Sequence, residues 1–361
     1  MAEQTGAAGA KPRPSTSRRV LQIVVSLVLV VGIFYFLFKN IDLAEVWADI
    51  REMTWLELVT LGIAAVWNLL TYVLVWMAVT PGLTSPRAFV LAESSTAVGN
   101  TLPAGAAVGV GLTYSMLGSW GFSRSRSTVA VLVSGVWNSF VKLGMPVLAV
   151  ALVALQNRVS GARVTAALAG IGGLVAAVAV FAVMLRSERG AERVGMVGGR
   201  VASRVLRVFR RPPVHGWEIA TTKFRARTIG LVSHRWLAIT VATLVSHLSL
   251  YLVLLLTLRH VGVSDDTVGW AEVLAVFAFA RLATAIPFTP GGLGVVEAVL
   301  IGGLVAAGAD KSMAVASVLV YRALTWLLPI PIGVGCYLWW RRQSLTARPA
   351  EAASPVRADG S

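Results

Sequence analysis

Apolar residues in this chain fall in long, nearly uninterrupted stretches, not in the alternating or amphipathic patterns of elements that keep one face in water. A hydrocarbon core about 30 Å thick requires about 20 such residues in a helix. Six stretches are of that order: Val20 to Phe38, Trp55 to Thr80, Thr128 to Leu155, Val164 to Leu185, Trp236 to Leu258 and Ser312 to Trp340. Two more, Phe89 to Leu117 and Trp270 to Ala309, are interrupted near the middle by Pro and Gly. Each of these is expected to form two short helices and a loop, because Pro lacks the N–H that a helix interior needs. The pattern predicts an all-α integral membrane protein, a polytopic helical bundle.

Composition narrows the possibilities further. Of 361 residues, 56% are hydrophobic and 14% charged, against about 45–50% and about 25% in soluble domains. The single cysteine, Cys336, lies in an apolar run and excludes an intramolecular disulfide framework. The longest polar stretch, Arg186 to Arg235, is short for a catalytic domain. Activity is therefore expected in the membrane region. The first apolar stretch follows Arg18 and Arg19 as a secretory signal would. It nevertheless exceeds the usual signal core of about 7–15 residues, and no small-residue cleavage site follows it. A retained anchor is the expectation.

Charge gives a direction. Residues 1–19 carry Lys11, Arg13, Arg18 and Arg19 against Glu3; Arg186 to Arg235 holds twelve basic residues against Glu188, Glu192 and Glu218; the tail after Trp340 is also basic. These three segments account for +14 of the formal net charge of +15. Cytoplasmic loops are rich in Lys and Arg, so both termini and the linker are expected in the cytoplasm, and nucleic acid is not needed to explain the charge. The expected organisation is a basic tail (1–19), an N-terminal membrane half (20–185), a basic linker (186–235), a C-terminal membrane half (236–340) and a second tail (341–361). In the linker, Val194, Val197, Val201, Val205 and Val208 share a helical face beside Arg193, Arg200, Arg204, Arg207 and Arg211. This reads either as a helix on anionic headgroups or, because Gly195, Gly198 and Gly199 weaken a helix, as a plain basic connector.

The two interrupted regions resemble each other. Around Asn100 the chain reads GNTLPAGAAVGVG and around Pro287 it reads ATAIPFTPGGLGVVE, so Pro103 and Pro287 align. The interval from Trp55 to Pro103 nearly matches that from Trp236 to Pro287, and the interval from Pro103 to Thr128 equals that from Pro287 to Ser312. Each half is thus span, broken hairpin, span. By the charge rule the first hairpin starts from the cytoplasm and the second from outside, an inverted repeat. Inverted repeats with broken helices recur in secondary transporters, with the site near the midplane. Two tilted spans joined by a turn would leave the topology unchanged. Re-entry is favoured because Trp270 to Ala285, one arm of the second region, falls short of the about 20 residues that a span needs.

The run Pro287-Phe-Thr-Pro-Gly-Gly-Leu-Gly-Val-Val-Glu297, preceded by Arg281 in a hydrophobic hairpin, resembles the signature of the lysylphosphatidylglycerol synthase transmembrane family, the flippase-like membrane domain of multiple peptide resistance factors. The likeness extends from about residue 20 to 340. It implies movement of a phospholipid or other anionic lipid between leaflets of the cell membrane. No counterpart of the cytosolic aminoacyl-transferase domain is recognised in these residues, so aminoacyl-lipid synthesis is not carried over.

Candidate residues follow from burial costs. Pro290, Gly291, Gly292 and Gly294 come just before a helix start, whose free N–H groups attract anions, and Thr289 adds a hydroxyl. Asn100, Pro103 and Gly105 are the corresponding loop of the first repeat. The same glycines would also suit a tight turn that only packs helices. Charges within apolar runs are costly and are candidates by default: Glu93, Lys142, Glu272, Arg281, Glu297 and Arg322. The interval from Pro103 to Asn138 equals that from Pro287 to Arg322, which sets Asn138 and Arg322 at equivalent depth. Arg281 and Arg322 are expected to attract a lipid phosphate, with Glu297 pairing one of them when lipid is absent. A static Arg–Glu bridge is the alternative. Lys142 is expected either at the same cavity or snorkelling. Glu57 reads as a boundary charge, and His247 as a satisfied polar contact rather than a proton relay. No metal-binding, nucleotide-binding or nucleophile motif is found, and no cofactor is expected. Membrane phospholipids are the expected partners. Two other readings stay open: a membrane-embedded enzyme or subunit acting on polyprenyl-phosphate or glycolipid carriers, with Glu93 and Glu297 as acids, and a non-transporting anchor whose linker recruits a partner.

Overall fold

The computed structural model describes residues 43–102, 105–155, 172, 175–176, 179–208, 216–284 and 290–352. The predicted span at Val20 to Phe38, most of that at Val164 to Leu185, Pro103, Pro287 and Thr289 lie outside the described residues. Eleven α-helices occur within them: α1 (Leu43–Arg51), α2 (Trp55–Val79), α3 (Ser85–Thr101), α4 (Gly105–Ser119), α5 (Arg124–Leu155), α6 (Glu188–Val208), α7 (Trp217–His260), α8 (Trp270–Ala283), α9 (Val295–Ala306), α10 (Lys311–Arg322) and α11 (Pro329–Ala352). The chain is an all-α polytopic membrane protein. Among the described residues, four helices are long and apolar enough to cross a bilayer: α2, α5, α7, and α10 continued into α11. One side of α2 leaves Leu56, Val59, Ile63, Val66, Leu70 and Leu74 exposed. In a bilayer such a stripe meets acyl chains.

The helices of the broken regions are short. They have 17 and 15 residues in α3 and α4, 14 and 12 in α8 and α9, or about 18–26 Å at about 1.5 Å per residue, less than the hydrocarbon thickness. Their packing explains the hairpins. A β-carbon on Gly105 would collide with the Val98 and Gly99 carbonyls, and one on Gly303 would collide with Val276, so α3/α4 and α8/α9 each close at a glycine.

The packing pattern is unchanged when the halves are exchanged. α3 packs on α11 as α8 packs on α5, α3 on α4 as α8 on α9, α4 on α5 as α9 on α10, and α2 on α5 as α7 on α10. Helices α2 and α7 cross antiparallel, and Asn68 Nδ2 donates to Ser249 Oγ at 2.7 Å. Asn68 stands at the same offset from Trp55 as Ser249 from Trp236, so equivalent positions touch, as a two-fold axis requires.

The hairpins start from opposite faces. On one, Trp340 Nε1 donates to Ser119 Oγ and Arg126 Nη2 to the Pro81 carbonyl, which gathers the ends of α2 and α4, the middle of α11 and the start of α5. This face carries Arg87, Arg124, Arg126, Arg227, Arg235, Arg341 and the arginines of α6. On the other, Thr60 Oγ1 bonds His260 Nε2 (2.9 Å) and Ser312 Oγ donates to Asp49 (2.7 Å), gathering the start of α2, the end of α7, α1 and the start of α10. Asp49, Glu52, Asp265, Asp266 and Asp310 make this face acidic. Each face has its own apolar core. Phe277, Leu254, Leu258, Leu300 and Leu304 anchor the acidic side; Leu91, Met116, Leu117, Val133 and Ile239 anchor the basic side.

The linker shows two features of local structure. The stretch 186–235 is largely helical, because α7 begins at Trp217 and runs 44 residues. The glycines of α6 do not merely weaken it: β-carbons on Gly195 and Gly198 would strike Glu218, Thr221 and Trp217 of α7, so they let α6 dock. Val194 is half-buried in that contact while Val197 and Val201 stay exposed.

Candidate functional site

Between the two apolar cores lies a cavity of about 220 Å³, where the tips of the broken hairpins meet. Its wall comes from both repeats: Asn68, Tyr72, Glu93, Thr96, Asn100 and Asn138 from the first, with Ser246, His247, Arg281, Thr284, Gly291, Tyr321, Arg322 and Trp326 from the second. Asn138 and Arg322, set at equal spacing from their prolines, both line it, as do Asn100 and Thr284.

The tip contact depends on glycine. Gly291 has φ +59°, in the left-handed region that glycine alone adopts freely. A β-carbon there would strike the Trp326 indole and lie 3.2 Å from Asn100 Oδ1. Across the tip, Asn100 Nδ2 donates to the Trp326 carbonyl at 3.0 Å. That carbonyl belongs to a π-helical turn, Ala323–Leu327. Pro329 and Pro331 have no N–H, so the α-helical ladder cannot run through this point. The widened turn brings Thr325 and Trp326 to the cavity, as π-bulges often do at sites.

The charges are arranged around this tip. Arg322 Nε donates to Glu297 Oε1 at 2.6 Å, Nη2 donates to the Gly291 carbonyl at 3.3 Å, and the guanidinium lies 5.5 Å from the Trp326 ring centre. Glu297, 2% exposed, sits in the first turn of α9, where the N-terminal dipole favours an anion. Arg281 lines the cavity and its Nε, buried, has no hydrogen-bond partner. Lys142 Nζ donates to Thr284 Oγ1 at 3.0 Å. Arg281 and Arg322 thus line the cavity, Glu93 is its one lining carboxylate among the described residues, and Lys142 and Glu297 stand one contact behind the wall, bonded to Thr284 and Arg322. Unpartnered buried polar atoms gather here too: Glu93 Oε2, His247 Nε2 and Trp326 Nε1 join Arg281 Nε on the lining residues. Such atoms are costly unless a ligand or water meets them. His247 Nδ1 is bonded to the Thr243 carbonyl at 3.0 Å; a carbonyl only accepts, so Nδ1 carries a proton, and in the neutral ring Nε2 is an acceptor.

Several candidates expected from the sequence sit elsewhere. Glu272 is at the start of α8, where its carboxylate accepts the Gly269 N–H at 3.1 Å. It caps a helix near the acidic face and does not line the cavity. Gly105 packs α3 on α4, and Gly292 (φ +72°) and Gly294 (φ +81°) shape the turn into α9; of the three glycines after Pro290, Gly291 alone lines the cavity. Pro290 opens the short turn Pro290–Gly292. Glu57 closes the first turn of α2 with Thr54. Tyr72, Asn68, Thr96 and Trp326 are absent from the sequence-based candidates, because those were charges in apolar runs, residues of the two Pro-Gly loops and one residue placed by its spacing, and these four are none of these. A polar residue facing inward within an apolar run is the signal that marks Asn68.

Two comparisons bear on the fold and site. The sequence pattern of the lysylphosphatidylglycerol synthase TM region matches residues 23–333. The inner membrane protein YbhN of Escherichia coli (strain K12) is 32% identical over 89 residues, 25% of this chain; the match spans 28% of YbhN's length.

Proposed function

The chain belongs to the lysylphosphatidylglycerol synthase transmembrane-region family, and from that premise we propose that it moves an anionic phospholipid between the leaflets of the plasma membrane. The observation that carries this reading is that Arg281 and Arg322 line a cavity between hairpins that start from opposite faces, with Lys142 one contact behind, on Thr284. A cavity of about 220 Å³ falls below the roughly 300–1,000 Å³ of pockets that enclose drug-sized ligands. It suits a headgroup while the acyl chains stay in the bilayer. Arg281 receives the phosphate; Arg322 exchanges Glu297 for it, so that occupancy and the tip contact are linked. Asn100 and Asn138 supply neutral hydrogen bonds from their side-chain amides. The lipid changes position and no bond in it is broken. The basic face lies in the cytoplasm by the positive-inside rule, and YbhN is itself an inner membrane protein.

Lipid analysis of the gently purified protein tests the reading. The wild type is expected to carry one anionic lipid above its bulk abundance and Arg281→Ala to lose that enrichment. Equal bulk mixtures in both would remove the headgroup site and favour the anchor reading.

A further inference from the structure

A second cavity, about 330 Å³, opens on the basic face and has no part in the central site. It lies where α2 ends, α5 begins and α7 passes, and Thr80, Arg126, Arg227 and Arg235 are among the residues that line it. Tyr72, on the central cavity, and Thr80, on this one, are about 12 Å apart along the axis of α2.

Three features define its chemistry. Among the described residues no carboxylate lines it, while three guanidiniums do. Two of these lean on carbonyls at and just past the end of α2: Arg126 Nη2 donates to Pro81 O at 3.3 Å and Arg235 Nη1 to Met77 O at 3.5 Å. Those bonds hold the side chains at the mouth and leave further N–H groups on each guanidinium, which has five. At the bottom, Thr80 is 3% exposed and its Oγ1 has no hydrogen-bond partner. A buried hydroxyl in a cationic cavity calls for an acceptor oxygen. The remaining wall, Val79, Val129 and Leu231, is apolar.

We propose that this cavity is a second anion site that binds the phosphate of an anionic phospholipid headgroup, with Arg126 and Arg235 as the charged clamp, Thr80 as the buried donor and the valine–leucine wall against the first acyl methylenes. The site stands whether or not the central cavity transports lipid. Free phosphate shares the same chemistry, and the apolar wall favours the lipid.

Native mass spectrometry of the detergent-solubilised full chain, titrated with dioctanoyl phosphatidylglycerol, dioctanoyl phosphatidylcholine or inorganic phosphate, tests it. Phosphatidylglycerol is expected to bind, and Arg126→Gln/Arg235→Gln to weaken one bound equivalent at least about tenfold, since charge-assisted bonds are the strong ones. Arg281→Ala keeps that equivalent, which separates this site from the central one. Arg126→Lys/Arg235→Lys restores part of it, and Thr80→Val, which preserves shape, weakens it if the glutamine variant does not fold. Displacement by millimolar phosphate identifies the site as one for phosphate itself and overturns the lipid assignment; resistance supports it. Unchanged stoichiometry and affinity in both Arg126→Gln/Arg235→Gln and Thr80→Val, or equal binding of phosphatidylcholine, overturns the proposal.

Discussion

Removing Arg322 should cost more stability than removing its partner, and removing both should cost less than Arg322→Ala alone. Glu297 is 2% exposed, with Oε1 2.6 Å from Arg322 Nε and Oε2 lacking any partner. Arg322→Ala leaves an uncompensated buried carboxylate, a change that costs about 3–5 kcal/mol where buried pairs have been broken. In Glu297→Gln the guanidinium keeps its bond to the Gly291 carbonyl and its place over Trp326, so the loss is about 1–2 kcal/mol, near that of one charge-assisted hydrogen bond. The double variant Arg322→Met/Glu297→Gln removes both charges at similar volume and should fall within about 1–2 kcal/mol of wild type. Unfolding in detergent, followed by intrinsic tryptophan fluorescence, gives the midpoints, and Arg322→Met measured beside them closes a double-mutant cycle with Glu297→Gln and the double variant. If Arg322→Ala and the double variant were equally destabilised, the buried pair would not hold the tip together and the switch assigned to it would have no energy to draw on.

Three further outcomes follow from geometry elsewhere. Gly333→Val places side-chain atoms against the Glu93 carbonyl and the Ala97 β-carbon; forcing α3 from α11 is expected to cost at least about 1–3 kcal/mol, seen as a lower thermal midpoint. In a Cys336→Ala background, Asn68→Cys/Ser249→Cys should be bridged by a short bifunctional thiol reagent, because Asn68 Nδ2 reaches Ser249 Oγ at 2.7 Å; a product that no short reagent bridges would contradict the α2–α7 crossing. In the same background, Gly118→Cys and Asp266→Cys, both exposed, should react with an impermeant maleimide from opposite sides of a sealed vesicle. Labelling from one side would refute hairpins that start from opposite faces.

Much of the architecture is legible in the sequence because the membrane makes burial a matter of run length. Trp55 and Trp270 mark helix starts, and Pro and Gly alone mark both broken regions. What escapes has a common cause. The helix α7 begins at Trp217, well before its apolar stretch opens at Trp236. Its first half packs through spaced positions such as Phe224, Thr228, Leu231 and Val232, and spaced positions leave no continuous run. The short amphipathic α1 escapes likewise. Glu272 reads as a costly charge within an apolar run, although it stands three residues after Gly269, the spacing of a capping carboxylate. Arg322 and Asn138 are reachable by counting from the aligned prolines. Tyr72 and Trp326 are not, because their roles depend on a helix crossing and on a π-turn.

Translocation in proteoliposomes tests the central claim most directly. With fluorescent phosphatidylglycerol in both leaflets and an impermeant quencher outside, wild-type protein should make the inner-leaflet label accessible well above the rate of protein-free liposomes. Arg281→Ala, folded by its thermal midpoint, should slow that at least about tenfold, the equivalent of about 1.4 kcal/mol. A wild type no faster than empty liposomes, or an Arg281→Ala as fast as wild type, would contradict the account.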